Sequence, residues 1–128
     1  MAGINFRTES TFLDVTATSA STSGSPNNAN TLFTCPASHE AEIVLLMVAN
    51  EGSSTANIAI QIFHADDSTF HFFVGNESIA GNSHEHYISS GPLFLHEGDK
   101  VLVFKHSGSS SFDVTLSARL YYTPARRT

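Results

Sequence analysis

Seven histidines, a single cysteine and two adjacent aspartates are the residues of this 128-residue chain whose types and spacing could do chemistry. His84 and His86 stand two apart, so on one strand both rings point to the same face and could share a metal. A catalytic metal wants a third protein ligand, and no Glu follows this pair at an interval of about three or four residues. The pair therefore reads as an exposed polar strand face. His64 and His71 flank an Asp66-Asp67 turn and could pair across a hairpin, with structural hydrogen bonding as the expected role. Cys35 has His39 and Glu40 close by in the chain. A catalytic thiolate needs a depressed pKa and a base aimed at it in space, and closeness in sequence supplies neither. Cys35 is expected to sit buried as a small apolar residue.

The remaining chemistry is thinner still. Asp66 and Asp67 lack the spaced oxygen ligands of a calcium loop. The serines have no Gly-x-Ser-x-Gly context, and residues 107–111, though rich in Ser and Gly, lack the Lys of a phosphate-binding loop. No catalytic, cofactor-binding or metal-binding residue is assigned, and the expectation is a protein that is not an enzyme.

Composition narrows the partners. Net charge is −6, with the acidic residues dispersed, which argues against nucleic acid. The one basic cluster, Arg119, Arg126 and Arg127, reads as a solvated tail. Charged residues make up 14% of the chain, well below the usual quarter or so, so part of the surface is expected to be covered by other chains. A lone Cys cannot form an intrachain disulfide. Residues 1–5 do not read as a signal peptide, and the longest apolar run, residues 43–49, is far short of the ~20 residues of a membrane span. A soluble protein made in a cytoplasm is expected.

The elements that would position these side chains read as strands. Residues 91–104 organise the pattern: Leu93-Phe94-Leu95, a polar turn at His96-Glu97-Gly98-Asp99-Lys100, and a buried strand through Val101-Leu102-Val103-Phe104. Gly98 can take the positive φ of a tight turn, and Asp99 can hydrogen-bond local backbone. Residues 1–10 read as an arm or irregular lead-in, 11–17 as a first strand, and 18–30 as a flexible polar loop. Residues 31–35 form a short strand ending at Pro36. Residues 42–49 are apolar on both alternating faces, which predicts a strand covered on both sides, with Ile43, Leu45 and Met47 on one face and Val44, Leu46 and Val48 on the other. Ile58, Ile60 and Ile62 point inward from the next strand. Phe70, Phe72 and Val74 share a face of the one after, with turns at Gly75-Asn76 and Gly81-Asn82. Phe112, Val114, Leu116, Ala118, Leu120 and Tyr122 alternate in the clearest strand of all. This pattern of about eight or nine short strands predicts an all-β, antiparallel β-sandwich of jelly-roll type, one domain overall, with 31–128 as the sandwich and 1–30 as arm, first strand and loop.

The order of segments carries a resemblance. Thr31-Leu32-Phe33-Thr34-Cys35-Pro36-Ala37 precedes the apolar strand that ends in Ala49-Asn50, and Leu93-Phe94-Leu95 leads into Gly98-Asp99-Lys100-Val101. Over residues 31–122 this resembles small bacteriophage virion proteins, which decorate capsids as cement proteins or form parts of tails and fibres. The resemblance implies binding by shape: a protomer on the capsid surface, commonly a homotrimer, partnered by the major capsid protein and by copies of itself, with residues 1–30 a candidate for reaching an adjacent subunit. The alternatives are a tail or fibre component, a carbohydrate- or receptor-binding sandwich using Tyr87, Tyr121 and Tyr122, and a cupin-like metalloenzyme resting on His84 and His86. The cupin pattern is departed from, since no second motif with Pro, Gly and His follows in residues 91–105.

Overall fold

The structure, a computed structural model, describes residues 6–15, 30–88, 93–108 and 110–123. Among these there are nine strands and no helix: β1 (Phe6–Val15), β2 (Asn30–Thr34), β3 (His39–Asn50), β4 (Ala56–His64), β5 (Thr69–Ile79), β6 (His84–His86), β7 (Leu93–Leu95), β8 (Lys100–Ser107) and β9 (Phe112–Tyr122). Every pairing is antiparallel. One sheet runs β1-β9-β3-β6, with β7 also on β3; the other runs β2-β8-β4-β5. Strand β1 pairs with β9, β2 with β8, β3 with β6 and β7, and β4 with β5. These nested pairs describe one long hairpin. Rolling it up adds the β3·β9 and β4·β8 pairings and gives a jelly roll.

Between the sheets lies an apolar core that includes Ile43, Leu46 and Val48 from β3, Ile58 and Ile60 from β4, Val101 and Val103 from β8, and Phe112, Val114, Leu116, Ala118 and Leu120 from β9. The alternation read in β9 holds from Phe112 to Leu120; Tyr122, last in that series, is exposed.

Three expectations change. The lead-in is not irregular from residue 6 onward: β1 begins at Phe6 and keeps an unbroken register with β9, from Phe6 opposite Tyr121 to Val15 opposite Phe112. Backbone pairing to a long neighbour carries a stretch whose side chains alternate poorly. The polar loop expected at 18–30 lies outside the described residues except for Asn30, which opens β2.

The two faces of β3 are assigned differently. Its register against β9 shifts between Ile43 and Leu45, so Val44 is the extra residue of a bulge. A bulge moves the alternation by one. Ile43, Leu46 and Val48 therefore share the inward face, and Leu45 and Met47 lie outward, half-buried. The strand covered on both faces is instead β8: Val101 and Val103 face the core, while Leu102 and Phe104, on the outer face, are buried as well.

The third change is in β5, which runs through Gly75 and Asn76 instead of turning there. Register shifts against β4 absorb the extra residues, and Asn57 ties this part down by donating to Asn76 Oδ1 and accepting from Ser78 Oγ, each at 3.0 Å. The turn follows at Asn82, which takes φ of 60°.

Candidate interaction surface

The His96–Asp99 turn holds one end of the sandwich together, as its sequence suggests. Gly98 has φ of 86°, and the Asp99 carboxylate is 3% exposed. Its Oδ2 accepts from the backbone N–H of His96 and its Oδ1 from that of Ala65, both at 2.9 Å, so it binds the turn after β4 as well as its own. Cys35 completes the junction through backbone bonds, donating to Asp99 O at 2.9 Å and accepting from Gly98 N at 3.0 Å. The Cys35 thiol is 1% exposed and lies 3.4 Å from the carbonyl oxygen of His39, to which it donates. The His39 ring turns elsewhere, with Nδ1 2.9 Å from Ala37 O, and Glu40 approaches His96 Nδ1 at 3.3 Å without hydrogen-bond alignment. The structure thus does not bring these residues together as nucleophile and base.

At the opposite end Asn50, also buried, donates from Nδ2 to the carbonyls of Ser54 and Ile79 and accepts from Gly52 N, all at 2.9 Å. Ser110 Oγ donates to Ser54 O at 2.7 Å. Nearby, Gly108 has φ of 101°, and a Cβ there would lie 2.7 Å from Ala56.

His64 and His71 do not meet directly. His64 Nδ1 lies 3.0 Å from Asp67 Oδ1, Thr69 Oγ1 donates to the same oxygen at 2.6 Å, and His71 Nε2 is 2.9 Å from Thr69 Oγ1. The hydroxyl of Thr69, then His64, hold the Asp67 carboxyl down to about 2, and the bond to Asp67 raises the His64 imidazole. Asp66 takes no part in these bonds. On the other sheet, Tyr121 donates to Glu42 Oε1 at 2.8 Å, which raises its phenol, and Arg119 stands 3.6 Å from the same oxygen. Arg126 and Arg127 lie outside the described residues. The Tyr87 hydroxyl is buried without a hydrogen-bond partner, and burial raises its pKa. Of the three tyrosines considered for sugar stacking, Tyr122 alone is widely exposed, at 48%. His84 and His86 lie exposed on β6 with ring centroids 5.5 Å apart. Among the described residues no group of three or more His, Cys, Asp or Glu gathers as a metal site would.

What stands open is aromatic. Strand β5 ends its sheet and exposes Phe70, Phe72 and Phe73, with Phe72 at 52%. The expected face of Phe70, Phe72 and Val74 is broken by a bulge. Val74 opposes Ile60 and packs toward the core, whereas Phe72 opposes Gln61 on the outer face and Phe73 is the extra residue between them. Phe70 packs on Phe63 at 4.7 Å and Phe72 lies 6.5 Å from Phe104, whose ring is fully buried. Lys100 Nζ sits over Phe63 at 5.4 Å. Across the other sheet Phe94, on β7, is 59% exposed. The signal in the sequence was Phe at both odd and even positions of one edge strand, which cannot all face one core.

No protein-family description matches this chain, and no curated protein does. Among solved structures, a chain of the Bacillus endospore appendages, a family of disulfide-linked pili, is similar with a TM-score of 0.55 and 11% identity, covering 95% of this chain and 92% of that chain. A chain of the T13 viral particle of IBDV is similar with a TM-score of 0.43 and 10% identity, covering 92% of this chain and 36% of that chain. At 11% identity the likeness to the pilus chain is one of fold.

Proposed function

We propose that this chain is a non-enzymatic structural protein of a virion, a capsid decoration (cement) protein that binds the major capsid protein at the surface of a bacteriophage head and acts there as a homotrimer. The observation that carries this reading is the open aromatic row Phe70, Phe72 and Phe73 on an edge strand, in a sandwich whose Asp99, Asn50 and Ser110 are occupied in holding turns. Large apolar side chains left on an edge favour contact with other subunits. The segment order from residue 31 to 122 supplies the capsid; low charge supplies the expectation of covered surface. A second reading, a tail or fibre component, is favoured by the fold shared with a chain of pili.

The test is electron microscopy of purified particles. Density of this fold at regular lattice points on the head is the expected result. Density confined to a tail or fibre selects the second reading, and absence of the protein from purified particles removes both.

A further inference from the structure

We propose that His84 and His86 are one half of a metal site that a second copy of this chain completes with the same two residues, for a borderline divalent ion such as zinc. The inference stands apart from the virion reading, since a chain that decorates no particle could carry it.

The geometry begins with the strand. His84 and His86 are alternate residues of β6, opposite Ala49 and Met47 of β3, so both imidazoles leave the same face of the sheet. Strand β6 is short but pinned at both ends: Asn50 N donates to Ser83 O and Tyr87 N to Leu46 O, each at 2.8 Å. The two rings are exposed, their centroids are 5.5 Å apart and their planes cross at 86°. With Zn–N bonds near 2 Å, a metal lies roughly 3 Å from each ring centroid, so two imidazoles on one tetrahedral ion have centroids roughly 5 Å apart.

This chain supplies two ligands and, among its described residues, no third. A tetrahedral ion keeps two positions for other donors. Among the described residues strand β6 is the last of its sheet, so a second β6 can approach from the open side. Four imidazoles then satisfy the ion, which holds two copies together about a twofold axis. Imidazole selects zinc, nickel or copper over magnesium and calcium. The competing account is a plain edge-to-face contact between the two rings, with no metal.

The test is titration of the full chain with zinc sulfate, followed by calorimetry and by sedimentation velocity. Binding is expected to saturate at about one ion per two chains, in step with conversion of half-site species to a larger one, as a shared four-ligand ion requires. A chelator should reverse it, and magnesium and calcium should not produce it. His84→Ala and His86→Ala should each weaken zinc binding by about tenfold or more and abolish the linkage. Because both side chains are exposed, both variants should keep the wild-type circular dichroism. Binding of one ion per chain without linkage, no saturable binding, or linkage that survives both substitutions would overturn the proposal.

Discussion

Two aspartates in neighbouring turns show how unequal similar hydrogen bonds are. Asp99 and Asp67 each accept two hydrogen bonds, and the turns they serve meet at Ala65. Asp99 is buried, and its partner at Ala65 is 34 residues away in the chain. Asp67 is 61% exposed in its side chain, and its partners lie on its own hairpin. Water competes freely for the partners of Asp67, whereas the carboxylate of Asp99 is withdrawn from it. The first fastens three segments of the fold, and the second trims one turn. A carboxyl held down to about 2 marks a well-bonded group, and burial decides whether the fold depends on it.

Burial against exposure is tested most severely on β3, where the bulge at Val44 decides which of two adjacent leucines shares the inward face of Ile43. Leu46→Asp puts a charge into the core without a partner, which costs several kcal/mol, a large part of the roughly 5–15 kcal/mol that stabilises a domain. Leu45→Asp keeps its charge at the half-buried outer face. Circular dichroism should show Leu46→Asp unfolded and Leu45→Asp folded, with light scattering reporting whether the latter loses contact with its copies. If Leu45→Asp unfolds and Leu46→Asp does not, the bulge is misplaced.

Next in size is Asp99→Ala, which strands the N–H groups of Ala65 and His96. An unpaired donor withdrawn from water costs about 1–3 kcal/mol, and both donors here are partly buried, so urea unfolding should show a loss of about 1–3 kcal/mol. Asp99→Asn keeps one acceptor and should lose less. Equal losses for Asp99→Ala and Asp67→Ala would break the contrast between the turns.

The two turns also mark what could be read from sequence. Gly98 and Asp99 announced a turn and a buried strand after it, because positive φ and local hydrogen bonding are properties of those residue types. The long-range bond to Ala65 was not legible, since only the rolled-up topology brings residue 65 beside residue 99. The alternation of β9 was read nearly to its end. In β3 and β5 the same reading lost phase at Val44 and Phe73, where a bulge inserts one residue without a residue type that announces it. That loss of phase hid the interaction surface: Phe70 and Phe72 were placed on one face with Val74, which alone of the three packs toward the core.

A smaller effect on stability is expected where the surface is open. Phe72→Ser removes a ring that is 52% exposed, so unfolding should shift by about 1 kcal/mol or less. Binding to purified particles, measured by co-sedimentation, should fall well below wild type. A variant that binds like wild type would take β5 out of the contact.

The smallest effect belongs to the exposed hairpin, and it has a sign on each side of neutrality. Asp67 is lowered from 3.8 to about 2 by Thr69 and His64, so its contribution is complete above 3.8 and is lost as pH falls through about 2. His64 is raised from 6.5 by its bond to Asp67, so its contribution is complete below 6.5 and is lost as pH rises through its higher folded value. Both favourable forms coexist between 3.8 and 6.5. The difference in stability between wild type and Asp67→Asn, followed by urea unfolding across pH, should therefore rise to a shallow plateau in that window and decline on both sides. Both groups are open to solvent, so added salt should flatten the plateau. A plateau as high as the loss in Asp99→Ala would mean that water does not compete for these bonds, and the distinction between the two turns would fail. A plateau that persists in Thr69→Ala at unchanged height would show that the hydroxyl is not the main hold on Asp67, and would leave His64 as the partner that matters.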